Sequence, residues 1–169
     1  MKRLILVCAI LLLPLAAFSE VTKREKEACF LSPSYACVIT QALAIAKTIE
    51  DADDRAEALA DIATAQAKAG DVKAALATAK TIEPADILAT ALTDIATAQA
   101  KAGDAKEALA RAKTIEDDDY RATALADIAT AQAKAGDVKA ALATAKTIEN
   151  VYWRASALTD IAEILFQIK

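Results

Sequence analysis

Side chains that can donate or accept hydrogen bonds recur every 33 residues along this chain of 169 residues. Each complete set holds an aspartate, a threonine three positions later and a lysine four positions after that. Because carboxylates accept hydrogen bonds and ammonium groups donate them, stacked sets could hold the backbone or the charged end of a peptide. The alternative is a solvated face with exposed ion pairs, each worth less than about 1 kcal/mol. The candidate partner-binding residues are Asp61, Thr64, Lys68, Asp94, Thr97, Lys101, Asp127, Thr130, Lys134 and Asp160.

Other chemistry has little support in the residue types. The chain has no histidine, which excludes serine–histidine and cysteine–histidine catalytic pairs and histidine metal ligands. No glycine-rich phosphate loop or nucleophile motif is present. The acidic turns at 50–54 and 116–119 could bind calcium weakly, but they lack the spacing and glycine of an EF-hand, so helix capping is the favoured interpretation. We expect no catalytic residue, no cofactor and no metal.

The first twenty residues are typical of an export signal. Lys2 and Arg3 precede the apolar run from Leu4 to Leu15, and Ala17 and Ser19 are small residues at the positions that a signal peptidase recognises. The alternative is an uncleaved anchor, although the run of about fifteen residues is shorter than the roughly twenty that span a bilayer. We expect residues 1–19 to be a signal peptide, cleavage after Ser19, and a secreted or periplasmic protein with no membrane insertion after cleavage.

Two cysteines follow this segment, Cys29 and Cys37. An even number of cysteines in an exported chain indicates a disulfide. A reactive thiol pair is the alternative, but such pairs usually have two intervening residues and here there are seven. We expect Cys29 and Cys37 to be bonded.

The charge balance is acidic, with 20 basic and 24 acidic residues and a net charge of −4. Loss of Lys2 and Arg3 with the signal peptide makes it −6. An acidic protein is repelled by phosphate backbones and anionic lipid surfaces, so we expect no nucleic-acid partner and no membrane surface as partner.

An exact repeat organises the rest of the chain. Lys-Thr-Ile-Glu occurs at 47–50, 80–83, 113–116 and 146–149, and an eleven-residue motif at 61–71 returns at 94–104 and 127–137. Alanine is the best helix former, and the chain is rich in it. A period of 20–50 residues indicates stacked repeats. We therefore predict an all-α fold, an α-solenoid of stacked antiparallel helical hairpins.

Each repeat contains the pattern of two helices. Leu59, Ile62, Ala63 and Gln66 share one face of the first helix, because their spacing is three and four residues. Gly70 ends this helix in the left-handed conformation. The second helix has its own apolar stripe, formed by Val72, Ala75, Leu76, Ala79 and Ile82.

Capping residues mark where the helices begin. Asp71 is expected to cap the second helix of its repeat, and Asp104 with Glu107 resembles a capping box. Pro84 suits the first turn of the helix that follows it. Acids fill this turn elsewhere, where they complement the helix dipole; they are Asp51, Asp53, Asp54, Asp117, Asp118 and Asp119.

Three glutamines, Gln66, Gln99 and Gln132, lie centrally on the apolar face of the first helices. Buried amides need hydrogen-bond partners. We expect these amides to bond to one another or to backbone across repeats, in preference to binding a ligand.

The repeat resembles the tetratricopeptide repeat family over about residues 38–169. The resemblance lies in Leu59, Ile62 and Ala63 of the first helix, the turn Gly70-Asp71, the small Ala75, and Pro84 near the repeat boundary. The chain departs from the family in its period of 33 rather than 34 and in having glutamine and alanine where the family often has aromatics. The resemblance implies that the first helices line a concave groove that holds extended peptides.

The two ends differ from the middle. Residues 20–50 are expected to form a degenerate N-terminal capping repeat, and 51–83, 84–116 and 117–149 three full repeats. Residues 150–169 form a C-terminal capping helix, in which Tyr152, Trp153, Leu165 and Phe166 are the large apolar residues. These close the core if they are buried, and favour association if they are exposed.

Two functions from different classes fit these observations. The first is an exported scaffold, not an enzyme, that binds a protein or peptide through the concave face of the first helices. The alternative is a structural, self-associating envelope protein with no separate ligand, a homo-oligomer formed through the C-terminal helix.

Overall fold

The computed structural model describes Cys29 and residues 33–167, and within these it contains eight helices and no strand. The all-α prediction is confirmed for this part of the chain. The expected signal peptide, residues 1–19, lies outside the described residues. The helices are α1 (Tyr35–Ala46), α2 (Ala52–Lys68), α3 (Val72–Ala79), α4 (Ala85–Lys101), α5 (Ala105–Ala112), α6 (Asp118–Lys134), α7 (Val138–Lys146) and α8 (Val151–Gln167).

Long and short helices alternate from α2 onward. The long helices α2, α4, α6 and α8 each have 17 residues, and the short helices have eight or nine. Each long helix contacts the short helix that follows it and also the next long helix. Each short helix contacts the next long helix, whereas no two short helices touch within the described residues. We call a long helix and the short helix after it a hairpin.

The turn inside each hairpin is set by glycine. Gly70, Gly103 and Gly136 have φ of 87°, 97° and 88°, a region that costs other residues about 1–2 kcal/mol. Two backbone bonds close the first of these turns, from the Gly70 amide to the Ala67 carbonyl and from the Asp71 amide to the Gln66 carbonyl. These two hydrogen bonds together form a Schellman motif. The predicted helix end at glycine is confirmed in all three hairpins.

The helix starts follow the capping predictions with two exceptions. Asp71 and Asp137 accept hydrogen bonds from the amides three residues later, at 3.0 and 2.9 Å. Asp104 makes no side-chain capping bond, so the predicted capping box is wrong. Pro84 precedes the first helical residue, Ala85, and has an extended ψ of 123°. It therefore lies one position outside the turn in which we expected it.

Isoleucines and alanines form the core of residues 46–167. Ile95, Ile128 and Ile161 are fully buried at the same position of three successive long helices. Ile115 and Ile148 are equally buried just after the short helices. Alanines buried between these large side chains let helix backbones approach closely, which explains how so few large residues fill the core.

The chain divides into two compact units, one that ends at Ile45 and one that begins at Ala46. In the first unit, Cys29 and Cys37 form a disulfide with Cα atoms 5.8 Å apart, so the predicted pairing is confirmed. Ser34 caps the start of α1 by accepting a hydrogen bond from the Cys37 amide at 3.3 Å. No described helix combines the length and the hydropathy needed to cross a membrane.

Candidate partner-binding site

Hydrogen bonds between successive long helices join the predicted aspartate and threonine rows. Thr64 Oγ1 donates to Asp94 Oδ2 at 3.0 Å, and Thr97 Oγ1 donates to Asp127 Oδ2 at the same distance. Thr130 Oγ1 donates to Asp160 Oδ2 at 3.3 Å. The repeat predicted stacked sets of these residues, but it did not predict that each threonine binds the aspartate of the next repeat.

These bonds orient the carboxylates without burying them. Asp94 and Asp127 remain exposed, as does Asp61 at the start of the row, while Asp160 is half-buried. Of the threonines, Thr97 is buried and the other two are half-buried. Each bond uses one carboxylate oxygen, and a carboxylate has about four acceptor sites, so a ligand can still donate to the row.

The lysine row lies at the ends of the long helices. Lys68, Lys101 and Lys134 are the last residues of α2, α4 and α6, and all three are exposed. A cation at a helix C-terminus complements the helix dipole. Across the described residues the one ion pair within 4.0 Å joins Arg121 to Asp118, so these three exposed lysines form no ion pair with the aspartate row.

A shallow pocket of about 390 Å³ lies where the rows meet between α4 and α6. Lys101 and Lys134 stand at this pocket with Asp127 and Thr130, and the rest of its lining is alanine and Gly103. The structure thus brings one complete aspartate–threonine–lysine set together with the lysine of the preceding repeat. Donors and acceptors lie side by side over a floor of small residues.

The buried glutamines bond within their own hairpin, so our expectation of bonds across repeats is wrong. Thr78 Oγ1 donates to Gln66 Oε1, and Thr144 Oγ1 donates to Gln132 Oε1, each at 2.8 Å. The corresponding partner of Gln99 is Arg111 Nε, at 3.4 Å. The cause is packing, because the short helix of each hairpin lies against the glutamine of its long helix. These buried amides link the long and the short helix of each hairpin.

The acidic turns are helix caps. Asp51 Oδ1 accepts from the amides of Asp53 and Asp54 at 2.9 and 3.0 Å. Asp117 Oδ1 does the same for Asp119 and Tyr120. Within the described residues no group of three or more cysteine or carboxylate side chains has an arrangement that could hold a metal ion.

A set of pockets at the opposite ends of the long helices escaped the sequence analysis. Pockets of about 360, 480 and 330 Å³ lie between the starts of α2, α4 and α6 and the loops after α3, α5 and α7. Arg55 and Arg121 line the outer two. The signal in the sequence is Leu88, which stands at the pocket of about 480 Å³ where the other two pockets have arginine.

Arg55 and Arg121 form hydrogen bonds to the loops that precede their helices. Arg55 Nη1 donates to the carbonyls of Ile49 and Glu50 at 2.7 and 3.1 Å. Arg121 makes the equivalent bonds to Ile115 and Glu116. Because these guanidinium groups are occupied by the protein's own carbonyls, they are structural residues and poor candidates for binding.

The large apolar residues of α8 divide between the core and solvent. Trp153 and Ile164 pack against the buried cluster. Tyr152 is 70% exposed and Phe166 is 81% exposed. The C-terminal helix therefore closes the core with one side only, and its other side carries exposed aromatics.

Comparisons with known protein families, with curated proteins and with solved structures find no match for this chain.

Proposed function

We propose that this chain is an exported α-solenoid of the tetratricopeptide type that binds a protein or peptide along its long helices. The observation that carries the proposal is the bonded aspartate–threonine pairs, with an exposed lysine beside each pair. Preorganised acceptors next to unpaired donors suit a ligand with both amide hydrogens and carboxylates. The chain then acts as a scaffold and performs no chemistry.

The contact pattern supports a concave long-helix face. Successive long helices touch one another, while successive short helices do not. A stack of such hairpins is shorter on its long-helix side, and small rotations of this kind between repeats produce the curved binding surfaces of solenoids. The candidate residues lie on this inner side.

The spacing of the rows suggests the form of the ligand. Packed helices lie about 8–10 Å apart, and an extended strand rises about 3.3 Å per residue. One repeat therefore spans about three residues of an extended segment. We propose a segment with acidic side chains at intervals of about three residues, because each repeat presents one lysine.

Selection from a displayed random-peptide library would test this function. We expect the protein to enrich acidic peptides, and the variant with Lys68, Lys101 and Lys134 all changed to Gln to lose them. The matched control changes Lys73, Lys106 and Lys139 to Gln, since these are exposed lysines that repeat on the short helices. Replacing Asp61, Asp94 and Asp127 by Ala should also abolish capture while helicity remains. Enrichment of nothing, or equal loss in the control, would reject the long-helix face as the binding site.

Export remains part of the proposal because a disulfide is stable in oxidising compartments such as the periplasm or the extracellular space. We propose cleavage after Ser19, with no nucleic-acid partner and no membrane insertion of the mature chain.

A second candidate function, self-association without a separate ligand, is favoured by one specific observation, the exposed aromatics of α8. Burial of these residues would only close the core, whereas their exposure supports association.

A further inference from the structure

One continuous side of α8 is apolar and uncovered. Its residues, which we call the outer face of α8, are Val151, Tyr152, Ala155, Leu158, Thr159, Ala162, Leu165 and Phe166. All are exposed. Thirty-three positions earlier, α6 has buried residues at six of the eight equivalent positions, namely Ala122, Leu125, Ala126, Ala129, Gln132 and Ala133, and exposed aspartates at the other two, Asp118 and Asp119. From Ala155 onward the outer face thus occupies positions that are core-facing in α6, and no described helix covers it in α8.

We propose that a second copy of this chain covers this surface, with the two α8 helices antiparallel about a two-fold axis near Leu158 and Thr159. This inference deepens the second candidate function and is independent of the long-helix face. The most common soluble oligomers are two-fold dimers, whose interfaces are self-complementary. The outer face has the symmetry that such an interface requires.

The self-complementarity is visible in two rows of residues spaced by seven. One row is Val151, Leu158 and Leu165, and the other is Tyr152, Thr159 and Phe166. Reversing the direction of the helix exchanges the ends of each row and leaves its centre in place. In an antiparallel pair, Leu158 therefore meets Leu158 of the second copy, and each end meets an apolar end.

The sizes of the side chains on the outer face fit two α8 helices that cross each other. Ala155 and Ala162 lie on either side of Leu158 on the outer face, and Tyr152 and Phe166 lie near its two ends. Two helices that cross at an angle are closest at the crossing point and diverge on either side. The alanines let the backbones approach around the Leu158 pair, and the aromatic residues fill the widening space toward the ends.

The buried area is sufficient for a specific dimer. Val151, Tyr152 and Phe166 are between 70% and 81% exposed, and Leu158 and Leu165 are each 41% exposed. Since an aromatic side chain buries about 150–250 Å², complete burial of the outer face would remove about 600 Å² from each copy. The pair would bury about 1,200 Å², the lower end of the range for stable interfaces. No charged residue belongs to the outer face, and the exposed Glu163 lies at its edge.

Sedimentation equilibrium of the purified protein over a wide concentration range would test the pairing. We expect a reversible dimer, and we expect Leu158→Glu to weaken it by at least about tenfold, because two carboxylates meet at the axis. Leu142→Glu is the matched control, because Leu142 is a leucine of α7 with 39% exposure. The control should dimerise like the parent protein. Circular dichroism should show unchanged helicity for both variants.

A charge-pairing experiment would test whether the two Leu158 side chains meet at the two-fold axis. Leu158→Glu and Leu158→Lys should each be monomeric alone, and an equimolar mixture should recover a dimer. A mixture that stays monomeric would overturn the meeting of the two Leu158 side chains. A parent protein that stays monomeric at every concentration, or a control as weak as Leu158→Glu, would overturn the second copy as the occupant.

Discussion

The hairpin at 84–116 has the same long-helix length and the same glycine turn as its neighbours at 51–83 and 117–149, but its polar contacts differ. The middle hairpin begins at Pro84, with no side-chain cap, whereas its neighbours begin at Asp51 and Asp117, which cap their helices. It has Leu88 where they have arginine. Its buried glutamine bonds to Arg111 at 3.4 Å instead of to threonine at 2.8 Å.

The helix lengths are the same despite these differences in polar contacts. The long helices α2, α4 and α6 all have 17 residues, and α3 and α5 both have eight. The shared features are the buried isoleucine, the alanine faces and the turn at glycine. The comparison teaches that packing and the glycine turn define the hairpin, while caps and side-chain bonds adjust its stability.

Removing a shared core residue should have the largest effect, and the same effect in both kinds of hairpin. Ile95→Ala and Ile128→Ala should each lower the free energy of unfolding by about 2–5 kcal/mol, because both side chains are fully buried. Urea unfolding followed by circular dichroism measures this. A much smaller loss for Ile95 would show that the middle hairpin has a different core.

Removing the hydrogen-bond partner of a buried amide should destabilise the protein more in a neighbouring hairpin than in the middle hairpin. Thr144→Val should cost about 1–3 kcal/mol, because Gln132 would keep a buried oxygen without a donor. Arg111→Met should cost less, since the bond from Arg111 to Gln99 is long and its side chain is half-buried. The same unfolding measurement applies, and equal losses would contradict the argument.

Exchanging the helix caps should give effects of opposite sign. Asp117→Ala should destabilise the protein by about 1 kcal/mol, because two amides of α6 lose their acceptor. Pro84→Asp should stabilise it by a similar or smaller amount by supplying the cap that α4 lacks. Thermal unfolding of the two variants beside the parent protein checks the signs. A stabilising Asp117→Ala would reject the capping role.

The smallest effect is expected for Leu88→Arg, which gives the middle hairpin the guanidinium of its neighbours. A gain of about 0.5 kcal/mol should result, because new bonds to the carbonyls of the 82–83 loop are offset by lost apolar packing. A crystal structure of the variant should show the arginine placed like Arg55. Destabilisation with the side chain in solvent would contradict this expectation.

Sequence reasoning succeeded where the controlling contacts are local. The ends of the long helices follow from glycine at a position that needs positive φ, and the starts from aspartates that reach amides two or three residues away. It failed for Asp104, whose capping bond is absent although its spacing to Glu107 is correct. Spacing allows a cap, but the rotamer decides whether the bond forms.

Contacts across helices were the part that sequence reasoning missed. The candidate rows were identified, but the bond from Thr97 to Asp127 spans 30 residues, and that from Thr144 to Gln132 spans 12. Such pairs depend on the distance and rotation between packed helices, which a periodic pattern does not contain. The pockets beside Arg55 and Leu88 were missed for the same reason.

By itself, the sequence determined the all-helical class, the repeat, the hairpin turns and the cysteine pair, because helix propensity, capping and chain proximity act over short separations. Only the tertiary structure decided which polar residues bond across helices and which side of α8 stays uncovered. Ala155, Leu158 and Ala162 of α8 occupy repeat positions that are buried in α6, and their exposure depends on whether another helix packs against them. That is a property of how the helices pack and not of the residues themselves.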